Sequence, residues 1–441
     1  MDLFTEPGRP LEGEIKVPGD KSISHRAIKC ASLASGISTI KGFLESDDCI
    51  ATLKAFQSLG IGINRDGGTL KVEGKGLYGL TESENPIDLA NSGTSLRLAA
   101  GILAGQRFNS ILTGDESLKK RPMERITTPL NKMGFSVQAS QNHTPPLTIN
   151  SVSKASAIDY ELPVASAQVK SCLMFASLFV QGETTLRENL ITRDHTERMF
   201  KKFKIELDIK QQGSKKIITI IPPKKLEPCD IEVIGDFSSA AFFILAALIT
   251  PNSHILIKDV GVNNTRTALL TAFKKMGAKI EVKNISDLYE PKGDIEVKYS
   301  KLVGIDLNPL LVPNLIDEMP VLFIAAALAE GTTRIRGAEE LRFKESDRLK
   351  SMSRTLNLFG VKYKLLEDGI DIEGVNQSKA SFPFNSAEID SFGDHRIAMA
   401  SIIGALRSKD PCKIKNCANI STSFPGFIDL SNKIGITLKR A

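Results

Sequence analysis

The stretch GDKSISHRAIKCASLA, residues 19–34, joins a polar turn to an apolar helical segment, and it recurs in altered form along the chain. Later copies begin at Asn91, Ala165, Gly235, Asp317 and Gly393, at intervals of 70 to 82 residues. Self-similarity at a fixed period is typical of folds that repeat one supersecondary unit. The stretch therefore predicts six related units.

A second feature keeps the same period. An amphipathic helix that ends in glycine and leads into a strand occurs in five copies, such as FQSLGIGIN and LNKMGFSVQ. Glycine after a helix commonly takes the left-handed C-cap conformation. The glycines lie 41 to 43 residues after the polar turns, at Gly60, Gly134, Gly277, Gly360 and Gly435, and FKKFKIELD is a third-repeat version without glycine. Alternating and β-branched runs such as KIITIIP are predicted to be strands.

The chain length and the cysteines constrain the class of protein. A chain of 441 residues is too long for one ordinary core, so two domains of three units each are expected. The six cysteines are scattered without a C-x-x-C pair, which is typical of reduced cytoplasmic proteins. The start, MDLFTEPGRP, lacks the features of a signal peptide, and no apolar run is long enough to span a bilayer.

The charge pattern favours a small acidic ligand. The formal net charge is +6, and the lysines and arginines are spread along the chain rather than collected in a tail. A nucleic-acid-binding protein would need a basic stripe or aromatic platforms, but tryptophan is absent and aromatic residues make up 6% of the chain. A steep salt dependence of RNA binding would support that alternative.

The polar turns carry more than helix caps. Lys21 and Arg26 stand at the start of a helical segment, where the helix dipole disfavours cations. An anionic ligand would explain them. The other turns hold Ser22, Asn91, Gly93, Ser166, Gln168, Asp317, His395 and Arg396. For Ser238 and Asp394 taken alone, N-capping is the favoured interpretation.

Two connecting stretches add charge. DESLKKRPMERI contains Arg121, and EELRFKESDRLK contains Lys344, Glu345 and Arg348. If the second stretch were helical, Lys344 and Arg348 would share a face and would need carboxylates or a ligand to offset their repulsion. A solvated charged face is the alternative interpretation. Neither a P-loop nor a G-x-G-x-x-G dinucleotide motif is present, and the five histidines form no metal-binding signature.

Taken in order, PGDKSISHRA, NSGTSLRL, RPMERI, SAQVKS, DEMP, LRFKESDRL, GDHRIAMA and SFPGF resemble the 5-enolpyruvylshikimate-3-phosphate synthase family, or 3-phosphoshikimate 1-carboxyvinyltransferases. The resemblance covers essentially the whole chain. It implies an α/β fold, a two-domain inside-out α/β barrel with three βαβαββ units in each domain. The repeat phasing places one domain at 20–239 and the other at 1–19 plus 240–441.

The resemblance also implies the reaction. The carboxyvinyl group of phosphoenolpyruvate passes to the 5-hydroxyl of shikimate 3-phosphate, phosphate leaves, and neither metal nor organic cofactor is needed. The step belongs to the shikimate pathway to chorismate and aromatic amino acids. The residues implied for shikimate 3-phosphate are Lys21, Ser22, Arg26, Ser166, Ala167, Gln168, Arg193, Asp317 and Lys344. Those implied for phosphoenolpyruvate are Lys21, Asn91, Gly93, Arg121, Gln168, Arg348, His395 and Arg396.

The chemistry then suggests catalytic roles. Asp317 is the candidate base for the 5-hydroxyl, and Glu345 is the candidate proton donor to the methylene, with Lys21 as the competing assignment. Because the cations are divided between both halves of the chain, the domains are expected to close over the substrates. We expect a monomeric cytoplasmic enzyme that binds neither nucleic acid nor membrane.

Some residues depart from the best-known form of the family. Ala167 replaces a serine, and Thr422 stands where many members have lysine. SAQVK, RDHTE and NNTR resemble the second class of these enzymes, which is known for tolerance of the inhibitor glyphosate. Some tolerant members, however, have alanine at the position that Gly93 occupies here. Sensitivity to glyphosate is therefore open. The nearest rival is a UDP-N-acetylglucosamine enolpyruvyl transferase, but its loop cysteine has no counterpart between Cys49 and Cys172.

Overall fold

The structure is a computed structural model that describes residues 1–287, 289–375 and 381–441. The chain divides into two compact units. The first unit is Gly19–Val233, and the second unit combines Met1–Pro18 with Ile234–Ala441. The boundaries expected from the repeat phasing fell after residues 19 and 239. The second of these would cut a helix at 237–249 within its first turn, so the division before this helix is the physically sensible one.

The chain begins with two strands of the second unit and then builds the whole of the first unit. The two strands are β1 (Leu3–Thr5) and β2 (Glu12–Lys16). The first unit contains α1 (Lys21–Leu33), β3 (Ser35–Lys41), α2 (Asp47–Ser58), β4 (Gly62–Asp66), β5 (Thr69–Lys75), β6 (Ile87–Asp88), α3 (Gly93–Leu103), β7 (Ser110–Thr113), α4 (Glu124–Lys132), β8 (Ser136–Gln138), β9 (Leu147–Asn150), β10 (Asp159–Glu161), α5 (Ala167–Ala176), β11 (Thr184–Glu188), α6 (His195–Lys202), β12 (Leu207–Gln212), β13 (Lys215–Ile220) and β14 (Ile231–Glu232). Short 3₁₀ turns span Leu118–Lys120 and Ser177–Phe179.

The first unit repeats one sheet pattern. Its sheets have the strand orders β14-β3-β5-β4, β6-β7-β9-β8 and β10-β11-β13-β12. In each, a short edge strand runs parallel to its neighbour and the remaining pairs are antiparallel. The repetition agrees with the unit predicted from the polar turns and glycines.

The second unit continues the chain after β14. Its helices and strands are α7 (Phe237–Ile249), β15 (His254–Gly261), α8 (Ala268–Lys275), β16 (Lys279–Asp287), β17 (Pro291–Lys298), α9 (Met319–Ala327), β18 (Thr332–Ile335), α10 (Arg348–Leu358), β19 (Lys362–Leu365), β20 (Ile370–Glu373), β21 (Glu388–Asp390), α11 (His395–Ala405), β22 (Cys412–Lys415), α12 (Phe427–Lys433) and β23 (Leu438–Arg440). Short 3₁₀ turns span Pro309–Asn314, Glu339–Phe343 and Cys417–Thr422.

The sheets of the second unit follow the same pattern with one shortened member. Their strand orders are β2-β15-β17-β16, β18-β20-β19 and β21-β22-β1-β23. In the three-stranded sheet, the missing edge strand is represented by parallel bridges from Val303 to Glu330 and from Asp306 to Arg334. β2, which precedes α1 in sequence, pairs with β15, whereas β14, which precedes α7, pairs with β3. The two units have therefore exchanged their leading strands, and this is why the second unit is discontinuous in sequence.

The predicted glycine turns are confirmed. All five glycines that end the amphipathic helices have positive φ, from +79° at Gly360 to +100° at Gly435. In the third sequence repeat, which has no glycine at this point, Lys204 takes the same left-handed conformation with φ +62°. The turn geometry is thus retained even where the side chain makes it less favourable.

In the second unit, the helices that follow the polar turns form the apolar centre. Every residue of α7, α9 and α11 is buried, and these three helices pack against one another. A helix that is apolar on all sides is typical of a position inside a core. The described residues include no helix with the length and hydropathy needed to cross a bilayer.

Candidate active site

In the first unit, α1 brings three predicted site residues to its N-terminus. Asp20 caps the helix by accepting a hydrogen bond from the Ile23 N–H at 2.9 Å. Lys21 Nζ lies 2.9 Å from Asp48 Oδ2 on α2. Arg26 is buried, and its Nη1 donates to the carbonyl of Ser22 at 2.9 Å. The cap carboxylate offsets part of the repulsion between the cations and the helix dipole.

The start of α3 lies against the loop that follows β7. Asn91 donates from Nδ2 to Asp115 Oδ2 at 2.7 Å and accepts from Arg121 Nη2 at 2.9 Å. Gly93 is the first residue of α3, and a Cβ there would lie 2.9 Å from Arg121 Nη1. The glycine therefore lets the guanidinium group approach the helix backbone closely. Arg121 and Asn91, predicted from separate motifs, are in direct contact.

The start of α5 connects to α3. Ser166 is the N-cap of α5 and accepts from the Val169 N–H at 3.4 Å, and Ala167 is the first helical residue. Gln168 donates from Nε2 to Thr94 Oγ1 at 2.9 Å and accepts from Arg97 Nη1 at 2.5 Å. Arg193 is half-buried in the loop that leads into α6. Gln168 thus links the second and third polar turns.

In the second unit, Arg348 is the centre of a carboxylate cluster. It is the first residue of α10 and is buried. Its Nε lies 2.8 Å from Asp394 Oδ2, its Nη2 2.6 Å from Glu345 Oε2, and its Nη1 3.5 Å from Asp317 Oδ1. Burial alone would lower the pKa of Arg348, but Asp394, Glu345 and Asp317 outweigh it and raise that pKa. Arg348 is therefore a permanent buried cation.

Asp317 lies between two guanidinium groups. Its backbone carbonyl accepts from Arg396 Nη1 at 3.0 Å, and its Oδ2 is 3.6 Å from Arg396 Nη2. The side chains of Asp317 and Glu345 each keep 20% of their surface exposed, whereas that of Asp394 is fully buried. Asp317 and Glu345 can therefore reach a ligand, and Asp394 holds Arg348 in place.

Lys344 and His395 lie next to this cluster. Lys344 is half-buried, and burial lowers its pKa despite the opposing attraction of Asp317. His395 is buried at the start of α11, where its Nδ1 is 3.5 Å from Thr422 Oγ1. Asp394 is the N-cap of α11, as expected, and accepts from the Arg396 N–H at 2.9 Å.

One condition was not met and one local interpretation was wrong. Residues 344–347 are not helical, because Asp347 caps α10 by accepting from the Lys350 N–H at 3.0 Å, so Lys344 and Arg348 do not form an i, i+4 pair. Carboxylates offset the charge of Arg348, which is one of the two alternatives stated for this stretch. Ser238 is not the N-cap of α7, since Asp236 holds that position. The Ser238 hydroxyl bonds the buried carboxylate of Glu318 and accepts from Arg266 Nη2 at 2.7 Å.

Several residues that hold the site escaped the sequence-based selection. They are Asp48, Asp115, Ser171 and Thr196. The last three lie inside quoted motifs, but only the contact of each with a site residue singles it out. Among the described residues, no group of three or more His, Cys, Asp and Glu side chains is placed to hold a metal ion.

Known proteins are similar to this chain over its whole length. The family described as EPSP synthase (3-phosphoshikimate 1-carboxyvinyltransferase) matches residues 5–430. A 3-phosphoshikimate 1-carboxyvinyltransferase of Legionella pneumophila is 48% identical over 98% of both chains. An EPSP synthase structure from Acinetobacter baumannii is 43% identical and covers 99% of both chains with a TM-score of 0.87. The enolpyruvyl transferase NikO of Streptomyces tendae, at 15% identity and a TM-score of 0.79, shares the fold alone.

Proposed function

The chain belongs to the EPSP synthase family, and on that premise we propose that it transfers the carboxyvinyl group of phosphoenolpyruvate to the 5-hydroxyl of shikimate 3-phosphate. The observation that carries the proposal is the placement of Asp317 between Arg348 and Arg396, beside Glu345. Partly exposed carboxylates next to fixed guanidinium groups suit a reaction that moves protons while anionic charge develops.

Asp317 is the proposed base. Its carboxylate lies 3.5 Å from Arg348 Nη1 and 3.6 Å from Arg396 Nη2, so the two guanidinium groups hold it in place. As the 5-hydroxyl oxygen attacks C2 of phosphoenolpyruvate, its proton passes to Asp317, and the C3 methylene gains a proton to become a methyl group. The resulting tetrahedral intermediate then expels phosphate as C3 loses a proton, which restores the double bond.

The proton that reaches C3 has two candidate donors. Glu345 is 2.6 Å from Arg348, so the carboxylate left after donation is stabilised by a fixed cation. Lys21 is the competing donor in the first unit, where Asp48 orients its ammonium group. A Glu345→Gln variant that keeps both substrate affinities and loses turnover would assign the donor to Glu345. Unchanged turnover would assign it to Lys21.

The cationic side chains and polar turns are the proposed binding groups. Arg121, Arg348 and Arg396, with Asn91, Gly93, Gln168 and His395, are proposed for phosphoenolpyruvate, because guanidinium groups pair bidentately with carboxylate and phosphate oxygens. Lys21 is shared by both substrates. Ser22, Arg26, Ser166, Ala167, Gln168, Arg193, Asp317 and Lys344 are proposed for shikimate 3-phosphate.

The finer architecture and cellular setting belong to the same proposal. The three similar sheets described in each unit support an inside-out α/β barrel of six βαβαββ units, three per domain. We propose that the enzyme is a cytoplasmic monomer of the shikimate pathway and a target of glyphosate at the phosphoenolpyruvate site.

Phosphate release from phosphoenolpyruvate, with and without shikimate 3-phosphate, tests the function. Release that requires shikimate 3-phosphate is expected. Asp317→Asn should lower kcat by about 10²–10⁴-fold, and Lys21→Met should raise the KM of both substrates. Asp306→Asn and Lys210→Met are matched controls, because these side chains are 75% exposed. Activity with UDP-N-acetylglucosamine instead of shikimate 3-phosphate would overturn the proposed acceptor.

A further inference from the structure

Two adjacent polar contacts join α5 to α6 in the first unit. Lys170 Nζ on α5 lies 2.8 Å from Glu197 Oε1 on α6. At the neighbouring positions, Ser171 Oγ lies 2.6 Å from Thr196 Oγ1. A charged contact and a hydroxyl contact therefore lie side by side between the same two helices.

Arg26 from α1 completes the hydroxyl contact. Its Nε donates to Thr196 Oγ1 at 2.7 Å, and its Nη2 donates to Ser171 Oγ at 2.8 Å. Its Nη1 donates to the Ser22 carbonyl at 2.9 Å. These bonds engage all three guanidinium nitrogens, so they fix both the position of the plane and its rotation about the side chain.

We propose that Ser171 and Thr196 are positioning residues that orient the Arg26 guanidinium group for binding shikimate 3-phosphate. The inference rests on the proposed function, because the role of Arg26 as a ligand of that substrate is part of it. Ser171 and Thr196 act through Arg26 and need no contact with substrate.

The neighbouring charged contact fixes the helices that carry the two hydroxyls. Lys170 is fully buried and also lies 3.0 Å from Glu188 Oε2 on β11, and Lys216 Nζ on β13 lies 3.0 Å from Glu197 Oε1. Burial alone would lower the pKa of Lys170, but Glu197 and Glu188 outweigh it and raise that pKa. Two lysines and two glutamates balance in charge. A buried ion pair keeps its stability only in a narrow geometry, so the cluster restricts sliding of α5 along α6.

Orientation has a specific kinetic signature. A guanidinium group that loses its Nε acceptor can still approach an anion, but its side chain is then immobilised only when substrate binds. The entropy cost of immobilising it weakens substrate binding. If Arg26 contributes equally to binding substrate and transition state, the loss appears in KM and not in kcat. A defect of global folding would instead lower the active fraction of the protein and therefore the apparent kcat.

The kinetic experiment compares Thr196→Val and Ser171→Ala with wild type. Each is expected to raise the KM of shikimate 3-phosphate about tenfold, as for a hydrogen bond to a charged group, with kcat little changed. The melting temperature should fall by a few degrees, because an N–H of the buried Arg26 loses its acceptor. Thr196→Ser keeps the hydroxyl and should restore the wild-type KM. Thr185→Val and Ser177→Ala are matched controls, because they remove hydroxyls in the same unit that bond Thr219 and the Met174 carbonyl instead.

A spectroscopic experiment tests the positioning without activity. The Arg26 Nε–H signal of ¹⁵N-arginine-labelled protein, identified by its loss in Arg26→Lys, should be protected from solvent exchange in wild type and Thr196→Ser and lose that protection in Thr196→Val. An unprotected wild-type signal, or a Thr196→Val protein with both wild-type KM and wild-type protection, would overturn the proposal. If wild type releases no phosphate, the proposed function fails, and the exchange measurement still decides whether the hydroxyls orient Arg26.

Discussion

The two units hold their site arginines in different ways. In the first unit, the hydrogen bonds described for Arg26, Arg97 and Arg121 end on hydroxyl, amide and carbonyl oxygens. In the second unit, Arg348 and Arg396 contact carboxylates of Asp317, Glu318, Glu345 and Asp394. Neutral oxygens orient a guanidinium group through hydrogen bonds, whereas carboxylates orient it and also offset its charge.

The difference teaches how two kinds of work are divided. In the first unit, hydroxyl and amide oxygens orient guanidinium groups that are proposed to bind the anionic substrates. A proton transfer needs acids and bases whose protonation is set by nearby charges, which suits the second unit. The repeated fold therefore carries different side-chain contacts at similar helix N-termini.

The largest expected effect is on stability in the second unit. Arg348→Met removes the cation next to Asp394, which is fully buried, and leaves an uncompensated carboxylate. Such losses typically cost about 3–5 kcal/mol in the free energy of unfolding. Urea denaturation monitored by circular dichroism would measure this.

Arg26→Met is the matched variant in the first unit. Ser171 and Thr196 remain hydrogen-bonded to each other at 2.6 Å, so the expected cost is about 1–2 kcal/mol. Equal losses of unfolding free energy in the two variants would contradict the contrast between the units.

A pH dependence is expected from Lys29. It is buried on α1, donates to Ser95 Oγ at 3.2 Å and lies 5.7 Å from the Phe56 ring centroid. Burial lowers its pKa from 10.5 to about 7. Between these values, the unfolded state binds a proton that the native state does not, so native stability rises with pH by about 1.4 kcal/mol per unit.

The measurement compares the unfolding free energy of wild type and Lys29→Met. The free energy of unfolding of Lys29→Met should exceed that of wild type most below pH 7, where Lys29 is charged in both the native and the unfolded state. This difference should shrink as the pH rises toward 10.5. A difference that stays constant across this range would show that Lys29 does not titrate in this window. Lys210→Met, at an exposed position, serves as the control for loss of a lysine.

Gly93 in the first unit and Gly393 in the second unit allow a comparison with smaller expected effects. In Gly93→Ala the new Cβ would lie 2.9 Å from Arg121 Nη1 and 3.1 Å from Arg97 Nη1, so both guanidinium groups must shift. A displacement of a few tenths of an ångström should raise the KM of phosphoenolpyruvate about tenfold with little loss of stability. The inhibition constant of glyphosate, measured in parallel, is expected to rise with it.

Gly393→Ala should act through the backbone instead. Gly393 has φ +70°, and alanine there costs about 1–2 kcal/mol. A lower melting temperature for Gly393→Ala but not for Gly93→Ala is expected. The reverse order would indicate that the Gly93 substitution distorts the fold rather than the arginines.

The smallest effect is expected at a helix cap. Ser166→Ala removes the acceptor of the Val169 N–H and should lower the unfolding free energy by about 1 kcal/mol. Ser166→Asp restores a cap acceptor, and its added negative charge should weaken the binding of shikimate 3-phosphate. Calorimetric titration with this substrate would detect that change, and unchanged affinity would remove Ser166 from the proposed binding set.

Much of the molecule could be read from local patterns. The family recognised from the motif order is confirmed, as is the expectation that the chain is an enzyme of that family. The glycine turns are confirmed because a left-handed C-cap is a local requirement of the backbone. Lys204 has the same left-handed conformation without being glycine, so its residue type did not predict this turn, and only its position in the third repeat did.

By itself, the sequence determined the repeat, the glycine turns and the residue types at each polar turn, because these depend on spacing and on backbone preferences within a few residues. Only the tertiary structure decided which oxygen holds each cation. Arg26 is hydrogen-bonded to Thr196, which is 170 residues away in sequence, and Arg348 to Asp394, which is 46 residues away. It also decided that Asp347 starts α10 and that the leading strands β2 and β14 are exchanged. Such contacts depend on how helices and sheets pack, and a residue's neighbours in sequence carry little information about its neighbours in space.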